Sequence, residues 1–432
     1  MKLFGTMTLD ADQRLAIGGL SVFELARRFD TPLYVLDTAH VKAQCALYRQ
    51  AFTAPGADTE VIYASKAFLT VAMARLIQAE GLSLDVVSGG ELYTAITAGF
   101  PADRIYFHGN NKTAEELLMA LDYGVHRIIV DNGQELALLS RLCRQLGKRQ
   151  HILFRMNPGI DAHTHDFIQT ARNDSKFGIS IYQEDICGLI RQAAGDEHLI
   201  LTGFHCHIGS QIFDEAPYFS ALSVMFDFLG QVRDQCHFTA AELNLGGGFG
   251  VFYSEGDDPM ALEPCLSRLA AQAVQEAQQR QLPTPRLMIE PGRSIVANAG
   301  TTLYQVGAVK QTYAGKQFIF VDGGMTDNPR TALYDSKYEA HISHAGQPGP
   351  VQPFTVAGKC CESGDVLIHS IALPEPQPGD ILAINGTGAY NYSMSSNYNR
   401  IRKPAVVFVE NGEARLAVKR ETYEDLIRND VR

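Results

Sequence analysis

Between residues 60 and 290 the chain repeats one pattern eight times: a short apolar or β-branched run, a polar or glycine-bearing end, then a stretch with helical spacing. The runs are 61–65, 84–88, 104–107, 127–130, 151–156, 201–207, 242–245 and 286–289. Between them, 113–123 opens with Thr113 and Glu116 in the spacing of a capping box, and 134–146 carries apolar residues at helical intervals. Strands alternating with helices imply a parallel sheet, and eight such units imply closure into a (β/α)8 TIM barrel. An open doubly wound sheet, which more often has about five to seven strands, is the weaker alternative.

The pattern changes after residue 297. Short alternating runs at 302–309, 318–321, 352–356, 381–385 and 405–409 are separated by glycine and proline turns, which reads as a mainly antiparallel β domain. The strand-like run 32–36 precedes the barrel and is placed with this second domain. The expected organisation is an α/β chain with a barrel over 37–297 and a β-barrel or sandwich domain formed by 1–36 and 298–432.

Composition excludes several classes of partner. A net charge of -11 with no basic stripe argues against nucleic acid. No apolar run approaches the roughly 18–20 residues of a membrane span. The eight cysteines show no C-x-x-C pair and no disulfide-framework spacing, so reduced thiols in a cytoplasmic protein are expected.

In a barrel of this kind, chemistry gathers where the strands end. Taken in order, those ends supply Lys66; Asp85 and Ser88-Gly89-Gly90-Glu91; His108-Gly109-Asn110-Asn111; Asp131-Asn132; Arg155 and Asn157; His205, His207 and Ser210; Gly246-Gly247-Gly248; and Glu290-Pro291-Gly292-Arg293. Lys66 is a lone cation closing an apolar run. Such a lysine is either paired or used covalently, and condensation with an aldehyde cofactor is the leading covalent use. The glycine run lets backbone N–H groups approach an anion, and Arg293 suits phosphate or carboxylate. On its own the glycine run reads equally well as a tight turn. His205 and His207, two residues apart, are read as diverging, one toward the rim and one packing against helices, which disfavours a metal site. Glu290 could pair with Arg293, or hold a proton on a cofactor ring nitrogen. A lysine, a phosphate cradle and a carboxylate on one rim are the fixtures that pyridoxal 5'-phosphate requires.

With these motifs in place the chain resembles the barrel-type, fold III pyridoxal-phosphate decarboxylases, and within them the diaminopimelate decarboxylases. The resemblance rests on Tyr63-Ala64-Ser65-Lys66, the stretch 84–91, His205 to Ser210, Gly246-Gly247-Gly248, Glu290 to Arg293, Asp327-Asn328-Pro329-Arg330 with Tyr334, Cys361-Glu362-Ser363-Gly364-Asp365, and Gly388-Ala389-Tyr390. It implies decarboxylation of meso-2,6-diaminopimelate to L-lysine. Lys66 would bind the cofactor covalently, His207 would stack on its ring, leaving His205 as the packing histidine, and Glu290 would face the ring nitrogen. Asp85 would lie near the lysine. Ser210, Gly247, Gly248, Gly292 and Arg293 would surround the phosphate. Arg293, Arg330 and Tyr334 would hold the substrate's distal carboxylate, and Tyr390 would border both cofactor and substrate. Cys361 would return a proton to the substrate carbon and Glu362 would pair with the distal ammonium, both entering from the other subunit of a homodimer with shared active sites. Cys360, adjacent to Cys361, is the competing thiol. The segment 161–176 would cover the site. The competing activity is decarboxylation of another basic amino acid such as ornithine or arginine.

Overall fold

The computed structural model describes residues 1–160 and 175–431. Residues 161–174 lie outside the described residues, and with them most of the segment expected to cover the site. The chain divides into two compact units, one formed by Met1–Gln44, Val251–Asp257 and Arg293–Arg432, the other by Cys45–Gly250 and Asp258–Gly292.

The first unit opens with a small antiparallel sheet of β1 (Thr8–Leu9), β2 (Leu15–Ile17) and β3 (Leu20–Ser21), followed by β4 (Leu33–Asp37). The second unit is the barrel. Its strands are β5 (Thr59–Ala64), β6 (Ser83–Val86), β7 (Ile105–Phe107), β8 (Arg127–Val130) and β9 (Gln150–Asn157), with the two-residue β10 (Ile179–Ser180) added to β9. Then come β11 (Leu199–His205), β12 (Glu242–Asn244) and β13 (Arg286–Ile289). Neighbouring strands pair in parallel, and β13 returns to pair with β5, so the sheet closes. All eight expected strands are present. Because helices cover the outside and side chains fill the inside, these strands are buried on both faces and read as apolar runs rather than alternations. Ile62, Tyr106, Ile129, Leu153 and Met288 form a cluster of core residues contributed by five of these strands.

The connections explain how strand ends are placed with precision. Ser88, Thr113 and Asn132 each accept a backbone N–H in the first turn of the helix that follows β6, β7 and β8. The expected capping box at Thr113 and Glu116 is formed. These caps satisfy donors that a helix start leaves open, so short loops run from strand to helix without slack. A register irregularity between Leu201 and Gly203 lies where β11 meets β9, and on the β12 side a Cβ on Gly203 would fall inside the carbonyl of Glu242. Gly203→Ala should therefore lower stability by about 2–4 kcal/mol, read as a fall in the midpoint of thermal unfolding.

The remaining strands of the first unit are β14 (Gly300–Gln311), β15 (Gln317–Val321), β16 (Ala340–Ser343), β17 (Val351–Ala357), β18 (Val366–Pro374), β19 (Ile381–Asn385), β20 (Ala405–Glu410) and β21 (Glu413–Val418). They run in the order β18-β17-β15-β14-β4-β20-β21, with β19 joining β14 to β16. Most pairs are antiparallel; β15 with β17 and β4 with β20 are parallel. Strand β4 thus fills the place between β14 and β20. Its neighbours Leu303, Val407 and Val409 share a core with Leu33, Val35 and the N-terminal Leu15 and Ile17.

One expectation about the cysteines is corrected. Cys187 and Cys236, on the helices Ile186–Ala194 and Ala216–Cys236, form a disulfide. The helices bring together residues 49 apart in sequence, a pairing that no short spacing could announce. The cytoplasmic location expected from the cysteine pattern loses that support. No helix among the described residues is long and apolar enough to cross a membrane.

Candidate active site

Strand β5 ends at Ala64, and the single turn Ser65–Ala67 carries Lys66 outward to an exposed position. The cost of burying an ammonium, the reason for singling this lysine out, therefore does not operate. What holds the turn is Glu91: its Oε2 accepts from Ser65 Oγ and from Val87 N–H, each at 2.8 Å, tying the lysine turn to the loop after β6. On the other side, Ala64 N–H donates to Pro291 O at 3.1 Å, and a Cβ on Gly292 would stand 2.8 Å from that of Ala64. The last barrel strand is pressed directly against the first.

Glu290, just beyond β13, is the centre of a buried network. It lies 3.1 Å from His205 Nε2 and accepts from Asn244 Nδ2 at 2.7 Å. His108 Nε2 is 2.8 Å from Oε1, the oxygen that accepts from Asn244, without the alignment of a hydrogen bond. Burial alone would raise the Glu290 carboxyl, but the two imidazoles outweigh it and hold it well below the usual carboxylate range. Burial pushes His205 down to about 4 and also lowers His108. Asp85 on β6, 3% exposed, is driven the other way: burial, then the charge of Glu290, push its carboxyl well above the usual range. Of these two carboxyls, Glu290 is the more readily ionised and Asp85 the more readily protonated. Ligand atoms of His108, His205 and Glu290 lie within 4.8 Å of one another, as a metal site would require, but imidazole–carboxylate contact already accounts for their grouping.

The expectation that His205 and His207 diverge is wrong. Strand side chains alternate with a period of two, so residues two apart share a face. His205 meets Glu290 and is no mere packing residue, while His207 Nδ1 accepts from Gly247 N–H at 3.2 Å. That bond leaves the His207 proton on Nε2. Gly246 has φ +71°, and a Cβ there would stand 2.6 Å from Cys206 O, so the tight turn needs glycine. The half-buried Ser210 follows in the β11 loop, and Gly248 (φ +110°) packs against the Gly209 carbonyl.

These residues fit a pyridoxal group. Asp85 Oδ1 and His205 Nδ1 are buried polar atoms with no hydrogen-bond partner among the described residues, and an exposed primary amine stands on the same barrel end. Lys66 would hold the aldehyde, Glu290 the ring nitrogen, and the glycine turn with Ser210 the phosphate.

In the β unit, Arg293, Arg330 and Tyr390 come together. Arg293 Nη1 donates to Tyr253 OH at 2.8 Å, and its guanidinium lies 4.7 Å from the Tyr390 ring centroid. Arg330 stands 5.0 Å from the Tyr253 ring and 5.9 Å from that of Tyr390, and its Nη1 donates to Tyr338 OH at 3.2 Å. Burial would raise the Tyr253 phenol, but the two guanidiniums outweigh it and bring it below its ordinary value. Arg330 is 7% exposed and forms no ion pair among the described residues. Tyr334 ends the helix Arg330–Tyr334 and is half-buried. Cys361 and Glu362 are exposed, whereas Cys360 is buried and its thiol is pushed up to about 11, first by burial.

Comparison with known proteins now bears on this arrangement. Residues 38–297 match the pyridoxal binding domain of pyridoxal-dependent decarboxylases. The diaminopimelate decarboxylase of Bacillus subtilis is 50% identical over 431 residues, covering 100% of this chain and 98% of that one. The chain belongs to the diaminopimelate decarboxylases of the pyridoxal-dependent decarboxylase family. The Staphylococcus aureus member is 41% identical, with 99% of this chain and 100% of that one covered. The crystal structure of the M. jannaschii diaminopimelate decarboxylase in complex with L-lysine superposes with a TM-score of 0.92 at 33% identity, covering 99% and 98% of the two chains.

For a member of this family, reading the sequence missed five neighbours of the expected site residues. His108 and Arg155 stood at strand ends but received no role. Asn244 and Tyr253 flank the glycine run, where polar and aromatic residues could have been asked what they reach. Tyr338 lies beyond the Arg330 helix and only the fold returns it to Arg330.

Proposed function

We propose that this chain decarboxylates meso-2,6-diaminopimelate to L-lysine, the last step of lysine biosynthesis, as a pyridoxal 5'-phosphate enzyme working as a homodimer. The observation that carries the substrate is Arg330: a buried guanidinium whose neighbours among the described residues are tyrosines and not carboxylates. Desolvating a charge without a counter-ion is costly, so such a site favours an anionic ligand. Diaminopimelate offers a second carboxylate there; ornithine and arginine do not. The relatives' names and the M. jannaschii complex support the same reading.

Lys66 would hold the cofactor covalently through its amine. Pyridoxal phosphate, when bound, supplies a ring that accepts the electron pair left by departing carbon dioxide. Glu290, its carboxyl held low by its network, would hold a proton at the ring nitrogen, and Asp85 would lie beside the lysine. His207 would stack on the ring. Ser210, Gly247, Gly248, Gly292 and Arg293 would bind the phosphate. Arg330 and Tyr334, with Arg293 and Tyr390, would orient the substrate. Cys361 would deliver the proton and Glu362 would pair with the distal ammonium, each serving the site of the other subunit. The exposure of Cys361 favours it over the buried Cys360 as donor.

Carbon dioxide release should be assayed with meso-diaminopimelate, ornithine and arginine side by side. Diaminopimelate is expected to be turned over with kcat/KM at least about 10²-fold above the other two, the discrimination available when a buried polar group loses its partner. Preference for ornithine or arginine would overturn the substrate assignment.

A further inference from the structure

Cys361 and Glu362 stand on an exposed turn whose base is fixed by Asp365. The Asp365 carboxylate, on a residue 3% exposed, accepts from Cys360 N–H at 2.7 Å and from Met325 N–H at 2.6 Å. Above the base, Glu362 N–H donates to Cys360 O at 2.8 Å and Asp365 N–H to Glu362 O at 3.1 Å. These bonds close the turn on itself. The peptide of Cys361 is tied to a distant stretch of the β unit instead: its N–H donates to Asn399 Oδ1 at 2.7 Å.

Asn399 reaches that peptide from an unusual backbone. Asn399 at φ 52° and Arg400 at φ 56° are consecutive left-handed residues, a conformation that asparagine takes far more readily than arginine. The C-terminal segment fastens it. Arg400 Nη1 donates to Leu426 O at 2.6 Å, and its Nη2 lies 3.3 Å from Asp430 Oδ2. Asn397 Nδ2 donates to Glu421 Oε2 at 2.6 Å, and the same carboxylate accepts from Lys403 N–H at 2.8 Å. Two left-handed residues so anchored aim one carboxamide at one peptide.

We propose that Asn399 is the positioning residue for Cys361 and Glu362, an assignment that rests on the function proposed above. A thiol that returns a proton to carbon must stand within bonding reach of it, and small misplacements cost rate steeply. Asn399 sets that reach through the Cys361 peptide and touches neither substrate nor cofactor. The left-handed backbone and the hydrogen-bond acceptor are separable. Asn399→Gly keeps the first and removes the second, and Asn399→Asp keeps both.

The test uses the full-length enzyme loaded with pyridoxal phosphate. In Asn399→Gly, kcat with meso-diaminopimelate should fall about tenfold with KM within about twofold, and Asn399→Asp should return kcat to within about threefold of the parent. Independently of turnover, the alkylation rate of Cys361 by iodoacetamide, followed on its peptide by mass spectrometry and extrapolated to the fully ionised thiol, should change about threefold or more in Asn399→Gly and revert in Asn399→Asp. An Asn399→Gly enzyme with unchanged kcat and alkylation rate overturns the proposal, as does an Asn399→Asp enzyme no better than Asn399→Gly. If the parent does not act on diaminopimelate, the function falls, and the alkylation comparison still decides whether Asn399 sets Cys361.

Discussion

Replacing Lys66 with alanine should abolish covalent attachment of pyridoxal phosphate and lower turnover roughly 10³-fold or more. Borohydride reduction of the loaded parent should leave the cofactor on the Lys66 peptide; in Lys66→Ala no peptide should carry it. The argument is chemical as well as positional. Lys66 is exposed at the end of its strand, on a turn fixed by Glu91 and pressed by the Gly292 segment, so its amine is presented by a rigid scaffold. Lys66→Arg separates charge from reactivity, because a guanidinium stays protonated and cannot condense with an aldehyde. It should bind the cofactor without a covalent bond and should be as slow as the alanine variant. A reduced adduct on another lysine of Lys66→Ala would show that the cofactor lysine lies elsewhere.

The barrel was legible because its signal is local. Eight apolar runs, each buried on both faces, stand out against helices whose starts are marked by Ser88, Thr113 and Asn132. The β domain was half legible: β14, β15, β17, β19 and β20 follow the expected runs, but β16, β18 and β21 went unread. Strand β21 has no buried residue and lacks the apolar pattern that marks a core strand, whereas the apolar run of β18 is broken by the exposed His369 and Ser370. The site divides in the same way. Residues at strand ends could be found one by one, since the barrel rule says where to look. Partners could not: whether Glu290 is held by Arg293 or by His108, His205 and Asn244 depends on which side chains the closed sheet turns inward. The error over His205 and His207 was of another kind, a misapplied period, and correcting it moves His205 from packing into the network that holds the Glu290 carboxyl low. The Cys187–Cys236 disulfide needed two helices to be docked before it could be seen at all.

The second large effect is expected at Arg330. Arg330→Ala should lower kcat/KM for meso-diaminopimelate about 10²–10³-fold, the equivalent of about 3–4 kcal/mol for a charge-assisted contact made away from water. Fold stability should change little, by within about 1–2 kcal/mol, since losing a buried cation that has no carboxylate partner among the described residues offsets the packing lost against Tyr253 and Tyr390. The decisive comparison is with the product. Decarboxylation removes one carboxylate of diaminopimelate and leaves the other on L-lysine. If Arg330 holds the end that does not react, it holds substrate and product alike, and inhibition by L-lysine should weaken by the same factor as substrate binding. The loss then sits mainly in KM. If Arg330 instead met the carboxylate that departs, Arg330→Ala would depress kcat and leave L-lysine inhibition unchanged. Equal weakening of substrate and product therefore assigns Arg330 to recognition of the distal head group, and unchanged L-lysine inhibition removes it from that role.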